Sequence, residues 1–159
     1  MRTTLILAVA VAVSTAGVDS CQTSGSAALP NALQQRLQQE RFGVVTSIRG
    51  LPLGVRDELT TMFGGSLDIA EPGARFRSSD VNDPLLPTRR LIAAACSLQL
   101  CLVSYERAGS ASAWVALLHW TPAETRLEWG GLAPHGLRTA EAVRAAVLSG
   151  AVKGPVKNW

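Results

Sequence analysis

The chain predicts an α+β fold, an antiparallel β-meander of about four strands packed against two or three helices. Two alternating apolar runs, residues 114–120 and 125–129, flank the turn sequence Thr121-Pro122-Ala123-Glu124, which is the pattern of a β-hairpin. Just before them, residues 91–103 form the most apolar stretch, interrupted only by Ser97 and Gln99. On either side of this region, apolar residues recur three and four apart, as on one face of a helix. At 159 residues, 47% hydrophobic and 17% charged, the chain suits one domain with a single core and is too apolar for a disordered whole.

Residues 1–20 read as an export signal. Arg2 gives the positive start, Leu5 to Val13 is an uncharged apolar run, and Ser14 to Gly17 are small. The apolar run has nine residues, against about 20 needed to span a bilayer. Ser14-Thr15-Ala16 and Ser26-Ala27-Ala28 both offer small residues where a signal peptidase reads them. Val18-Asp19-Ser20-Cys21 resembles the bacterial lipobox, with Asp19 departing from it, so Cys21 is a candidate for lipidation and anchoring to a membrane. Cleavage before Cys21 removes Arg2 and Asp19 together and leaves the net charge at +3. Residues 21–29 read as a flexible tether to a single domain over 30–159.

Pro30 and the leucine pair Leu33 and Leu37 predict a helix over about 31–42, stopped by Gly43. Residues 44–49 are β-branched and predict a strand. Pro52 opens a second helix whose stripe is Val55, Leu59, Met62 and Phe63, ended by Gly64-Gly65. Residues 67–70 read as a short strand, and Glu71-Pro72-Gly73 as a turn. Asp80, Asp83 and Glu71 gather in the following loop. They lack the alternating oxygen ligands and late Glu of a helix-loop-helix calcium site, so solvated carboxylates are expected.

For 91–103 two readings compete. A buried helix fits the apolar length. A hairpin pairing residues whose numbers sum to 197 sets Cys96 opposite Cys101, Ala94 opposite Val103, Ile92 opposite Tyr105 and Arg90 opposite Arg107. The hairpin turn lacks Gly, Asn or Pro, but a helix would point the two sulfurs apart, and an oxidising compartment favours the disulfide. In the second hairpin, pairs summing to 245 place Trp114, Ala116, Leu118, Trp120, Leu127 and Trp129 on one buried face, with helices expected over it. The other face carries His119 opposite Arg126 and Leu117 opposite Glu128. Thr139 caps a last helix over about 140–149, with Gly150 beyond it.

Gly54-Val55-Arg56-Asp57, residues 67–73 and 86–91, Tyr105-Glu106-Arg107, His119-Trp120 and residues 126–131 carry a resemblance. On these the chain resembles a group of short uncharacterised exported bacterial proteins. The resemblance implies a compartment and no activity.

Nucleophile-elbow, zinc-protease and phosphate-loop motifs are not found in the sequence. Its two histidines, His119 and His135, are the bases any small hydrolase here would use. Glu106 and Glu128 are the carboxylate pair a glycosidase reading would need. Two lysines and one tyrosine make no nucleic-acid footprint, so no nucleic acid is expected, and neither a metal nor a cofactor. Opposed Arg90 and Arg107, with Arg89 adjacent, would repel unless splayed or bridged by an anion or by Asp80 or Asp83. These readings converge on an exported cell-envelope protein, in the periplasm, at the outer membrane or secreted. It is expected to bind a partner or small anionic ligand without catalysis, through a face carrying Arg90, Arg107, His119, Arg126 and Glu128. The alternatives are an inhibitor of a secreted hydrolase presenting the loop Ser97 to Leu100, and a small hydrolase using His119 or His135.

Overall fold

A computed structural model describes residues 28–78, 83–156 and 159. The expected signal peptide, the Cys21 lipidation site, most of the tether and Asp80 lie outside the described residues. The fold is α+β, as the hydrophobic patterns require. Its elements in order are α1 (Asn31–Gln39), β1 (Gly43–Val45), a 3₁₀ turn (Ile48–Gly50), α2 (Leu53–Met62), β2 (Ile69–Ala70), β3 (Arg89–Cys96), β4 (Leu100–Arg107), β5 (Ala113–Trp120), β6 (Thr125–Ala133) and α3 (Ala140–Leu148).

Strands β3 to β6 form an antiparallel meander. Two short strands line its β3 edge, β1 antiparallel and β2 parallel. The apolar stretch 91–103 is thus a hairpin, and Cys96 is bonded to Cys101. A helix would have kept those sulfurs apart. The β6 edge is closed by a bridge from Leu132 to Lys153, a bond from Val156 N–H to the Gly130 carbonyl, and the Glu58 carboxylate accepting from Leu127 N–H.

Helices cover both faces of the sheet, where the sequence pattern suggested cover on the Trp face alone. On one face α1 and α3 seat Leu33, Leu37, Val143 and Val147 against Leu100, Leu102, Val115, Leu117 and Trp129. On the other, Val55 and Leu59 of α2 pack on Leu91, Val103, Tyr105, Ala116 and Leu118, with Trp114, Trp120 and Trp159 at the margin. Each helix buries only a narrow stripe. One helical layer could not bury two apolar sheet faces, so both are roofed. Thr139 caps α3 by accepting from Ala142 N–H. Positive φ angles at Gly64 and Gly65 end α2.

Two β-bulges revise the expected register. One at Ile92 sets Leu91 against Tyr105, Arg90 against Glu106, and Arg89 against Arg107, so the opposed like charges are Arg89 and Arg107 rather than Arg90 and Arg107. The second absorbs Glu128, setting Leu117 opposite Trp129 and Ala116 opposite Gly130. An extra residue reverses every side chain beyond it. Trp129 therefore faces α1 and α3, away from Trp114 and Trp120. Among the described residues no helix is long and apolar enough to cross a membrane, and no three His, Cys, Asp or Glu side chains group as metal ligands.

Candidate functional site: the braced turn between β3 and β4

Ser97, Leu98 and Gln99 connect β3 to β4, with Leu98 and Gln99 as the two residues of the tip. Tight hairpin turns of this length favour positive φ at one or both central residues, because those turns match strand twist. No non-glycine residue here has positive φ, so the turn relies on other restraints. The disulfide closes the strands directly behind it, with the two Cα atoms 4.1 Å apart. Ser97 N–H donates to the Leu100 carbonyl at 2.8 Å, and the Ser97 hydroxyl accepts from Leu100 N–H at 3.0 Å and Gln99 N–H at 3.3 Å. That hydroxyl donates to Oε2 of Glu40, at the end of α1. From β5, Trp120 Nε1–H donates to the Ser97 carbonyl and Trp120 N–H to the Gln99 carbonyl.

The brace extends sideways as a chain of charges. Arg36 binds Glu40 at 2.7 Å and reaches Glu128 at 3.6 Å, while Arg126 binds Glu128 at 3.2 Å and Glu124 at 2.6 Å. It joins the β5–β6 turn to the β3–β4 turn through α1. Burial alone would raise the Glu40 carboxyl pKa. The Ser97 hydroxyl, the Arg36 bond and charge, and His119 outweigh that and hold it below its ordinary value. Hydrogen bonding to Glu124 raises the exposed Arg126.

Out of this framework projects Leu98, 91% exposed. An apolar side chain bared on a heavily restrained turn is unlike a leucine scattered on a mobile surface, since fixing its position has already cost the chain its entropy. One cleft borders the turn and another lies beyond Trp120, toward the β5–β6 turn. One, about 450 Å³, runs along Glu40, Arg41, Ser97 and Gln99. The other, about 650 Å³, is open and lined by Pro52, Leu53, Asp57, Trp120 and Pro122. Leu53 there is 64% exposed.

The structure divides the residues expected to form one binding face. His119, Arg126 and Glu128 lie beside the braced turn, on the face under α1, and the buried Nδ1 of His119 has no hydrogen-bond partner. Arg90 and Arg107 lie at the far end of the strands, roughly 20 Å away at strand spacing, and on opposite faces of the sheet. Arg90 binds Glu106 at 2.6 Å and the Ala74 carbonyl, and lies over Phe76. Arg107 lies over Trp114. Glu106 and Glu128, the carboxylates of the glycosidase reading, are at opposite ends of the sheet. His135 lines an open cleft of about 390 Å³ with Arg90, Glu106 and Arg138. No hydrogen bond joins either histidine to a hydroxyl or thiol among the described residues. Of the loop carboxylates, Asp83 accepts from Leu85 N–H and Glu71 from Ile48 N–H.

Sequence reasoning missed Glu40 and Trp120 as supports of the turn, because both are distant along the chain from Ser97. It presented the loop Ser97 to Leu100 only in the inhibitor reading and did not single out Leu98, because an apolar residue inside an apolar run reads as core. Comparison with protein-family models, curated proteins and solved structures finds no match.

Proposed function

We propose that this is an exported cell-envelope protein without catalysis of its own, which binds a protein partner through the turn Ser97–Leu100, with Leu98 as the residue inserted into the partner. The observation that carries the reading is the combination of nearly full exposure at Leu98 with a disulfide and side-chain brace around it. Interfaces draw their affinity from a few anchors that fill pockets, and an anchor held rigidly before binding loses little entropy on docking. The signal-like residues 1–20 and the bonded cysteines support an oxidising compartment outside the cytoplasm. Cys21 would be the point of lipid attachment if the chain is anchored. The likeness to short exported bacterial proteins points the same way.

An inhibitor of a secreted hydrolase would also present a braced loop. A substrate-like inhibitory segment, however, needs an extended run of backbone to lie along a cleft. A two-residue turn closed by the Ser97–Leu100 bond offers none, which favours a knob-in-pocket partner over substrate mimicry.

The test is photo-crosslinking in living cells, with a photoreactive residue placed at 98 or at 85. Leu85 is equally exposed, at 91%, and lies outside the braced turn, so it controls for exposure alone. A discrete envelope adduct from position 98 and none from 85 is expected, and the adduct should fade when Cys96 and Cys101 are both alanine. Equal adducts from both positions, or none from 98, would overturn the assignment. The intact mass of the protein used shows in the same preparation whether it begins at a lipid-modified Cys21.

A further inference from the structure

The far end of the sheet holds a group of buried donors without acceptors. Arg89 of β3 and Arg107 of β4 stand opposite one another, and Tyr105 and Trp114 are the next pair on the same face. Arg89 is only 7% exposed and Tyr105 is fully buried. Arg89 Nε and Trp114 Nε1 are buried and make no hydrogen bond, and the buried Tyr105 hydroxyl meets the Arg89 guanidinium, which can donate to it but cannot accept its proton. Two of these can only donate, and the phenol can donate. An orphaned buried donor costs about 1–3 kcal/mol, and three beside an arginine pair call for a common acceptor.

The protein's own carboxylates do not supply it. Asp68 is the nearest, 3.8 Å from Arg89 Nη1, and its oxygens already accept from the backbone N–H and the hydroxyl of Thr88. Arg89 donates to Thr88 Oγ1 at 3.2 Å and also meets the Tyr105 hydroxyl. Arg107 is exposed and has no ion pair among the described residues. Each guanidinium lies over a ring, Arg89 4.1 Å from the Phe63 centroid and Arg107 5.9 Å from that of Trp114. Stacking in this way leaves the N–H edges of the guanidiniums for an in-plane acceptor.

We propose that Arg89, Arg107, Tyr105 and Trp114 form a binding site for the oxyanion group, phosphate or carboxylate, of a small ligand. The oxyanion would relieve the repulsion of the opposed arginines and accept from the buried donors. Arg107, solvent-exposed, is the gate-side contact, and Arg89 and Tyr105 form the floor. Burial lowers the proton affinity of Arg89, against the charge of Asp68, and burial pushes the Tyr105 phenol up, so the phenol keeps its proton at neutral pH. This site is at the opposite end of the molecule from Leu98 and does not depend on the partner reading.

The experiment is a titration of the folded protein with sodium phosphate and, separately, sodium acetate, with ionic strength held constant by sodium chloride. It is read by tryptophan fluorescence, because Trp114 is part of the site, and by Tm. A saturable response to at least one of the two anions is expected, and the tighter of them sets the class of ligand. Arg107→Gln, on an exposed side chain that should not disturb folding, should weaken it by about tenfold or more. Tyr105→Phe should weaken it by a smaller factor, and Arg75→Gln, an exposed arginine elsewhere, should leave it within about twofold. A response that follows ionic strength alone, no saturable response to either anion, or equal binding by the Arg107→Gln variant would overturn the site.

Discussion

The Ser97 hydroxyl donates to the carboxylate of Glu40, 57 residues away in sequence, and so ties the end of α1 to the tip of the β3–β4 hairpin. The bond is one link in a longer connection. Glu40 is held by Arg36, Arg36 also faces Glu128, and Glu128 binds Arg126 of the β5–β6 turn. Two turns that are separate in the sheet are thereby fixed to one helix. Any partner that docks on Leu98 would meet a surface whose shape does not depend on a single loop.

Ser97→Ala tests how much of the brace passes through one hydroxyl. The change removes the donor to Glu40 and the acceptor for Leu100 N–H, at a half-buried site. Stability measured by urea unfolding should fall by about 1–2 kcal/mol, with the disulfide still formed and the helical and strand content unchanged. A loss below roughly 0.5 kcal/mol would mean that the disulfide alone holds the turn.

Glu40 gives the turn a predictable response to acid. Its carboxyl pKa is depressed in the folded state, despite the opposing effect of burial, by Ser97, Arg36 and His119. A depressed acid favours folding wherever it is ionised in both states. That contribution is complete above the unfolded pKa, about 4.3, and disappears as pH falls through the lower folded value. The stability difference between the protein and Glu40→Gln should therefore narrow as pH drops from about 6 toward 3. Urea midpoints across that range measure it, and a constant difference would remove Glu40 as the cause.

Replacing Cys96 and Cys101 together with alanine tests the covalent part. The bonded residues are five apart in sequence, and closing so short a loop removes little entropy from the unfolded chain. The expected loss is about 2 kcal/mol, with the meander intact, because Leu100, Leu102 and Val103 remain buried. Thermal unfolding of the two forms supplies the number. Failure of the double variant to fold would mean that the hairpin forms only after the bond does.

Much of this architecture was legible in the sequence, for reasons that differ by element. Pro30 with Leu33 and Leu37, Pro52 with Val55 and Leu59, and Thr139 as a cap announced the three helices, and the apolar pairs Leu33 and Leu37, Val55 and Leu59, and Val143 and Val147 are buried. The β5–β6 pairing followed from its turn, and His119 opposite Arg126 and Leu118 opposite Leu127 are the pairs found. What escaped were the bulges at Ile92 and Glu128, since neither residue type marks an insertion and only the fit of neighbouring strands decides it. Those two residues exchanged Arg90 for Arg89 opposite Arg107 and turned Trp129 to the other face. The candidate site was less legible still. The cysteines and the loop Ser97–Leu100 could be read locally, but Glu40 and Trp120 reach it only through tertiary packing.

Gly130 shows how the second bulge determines where the last described residue packs. Beyond the bulge, Gly130 lies opposite Ala116, on the face where Trp159 rests against Trp114 with ring centroids 5.6 Å apart. A Cβ at position 130 would overlap the Trp159 ring and would sit 2.9 Å from the Val115 carbonyl oxygen. The backbone oxygen cannot rotate away, but the indole can, so Gly130→Ala should expel Trp159 before it distorts the sheet. Its cost should be that of an overpacked site, about 1–3 kcal/mol, with tryptophan emission shifted to longer wavelength as the indole meets water. Trp159→Ala provides the comparison. If the loss comes from the expelled ring, adding Gly130→Ala to Trp159→Ala should cost much less than it does alone, because the clash would be gone. Full additivity would place the strain in the Val115 contact and leave Trp159 a bystander.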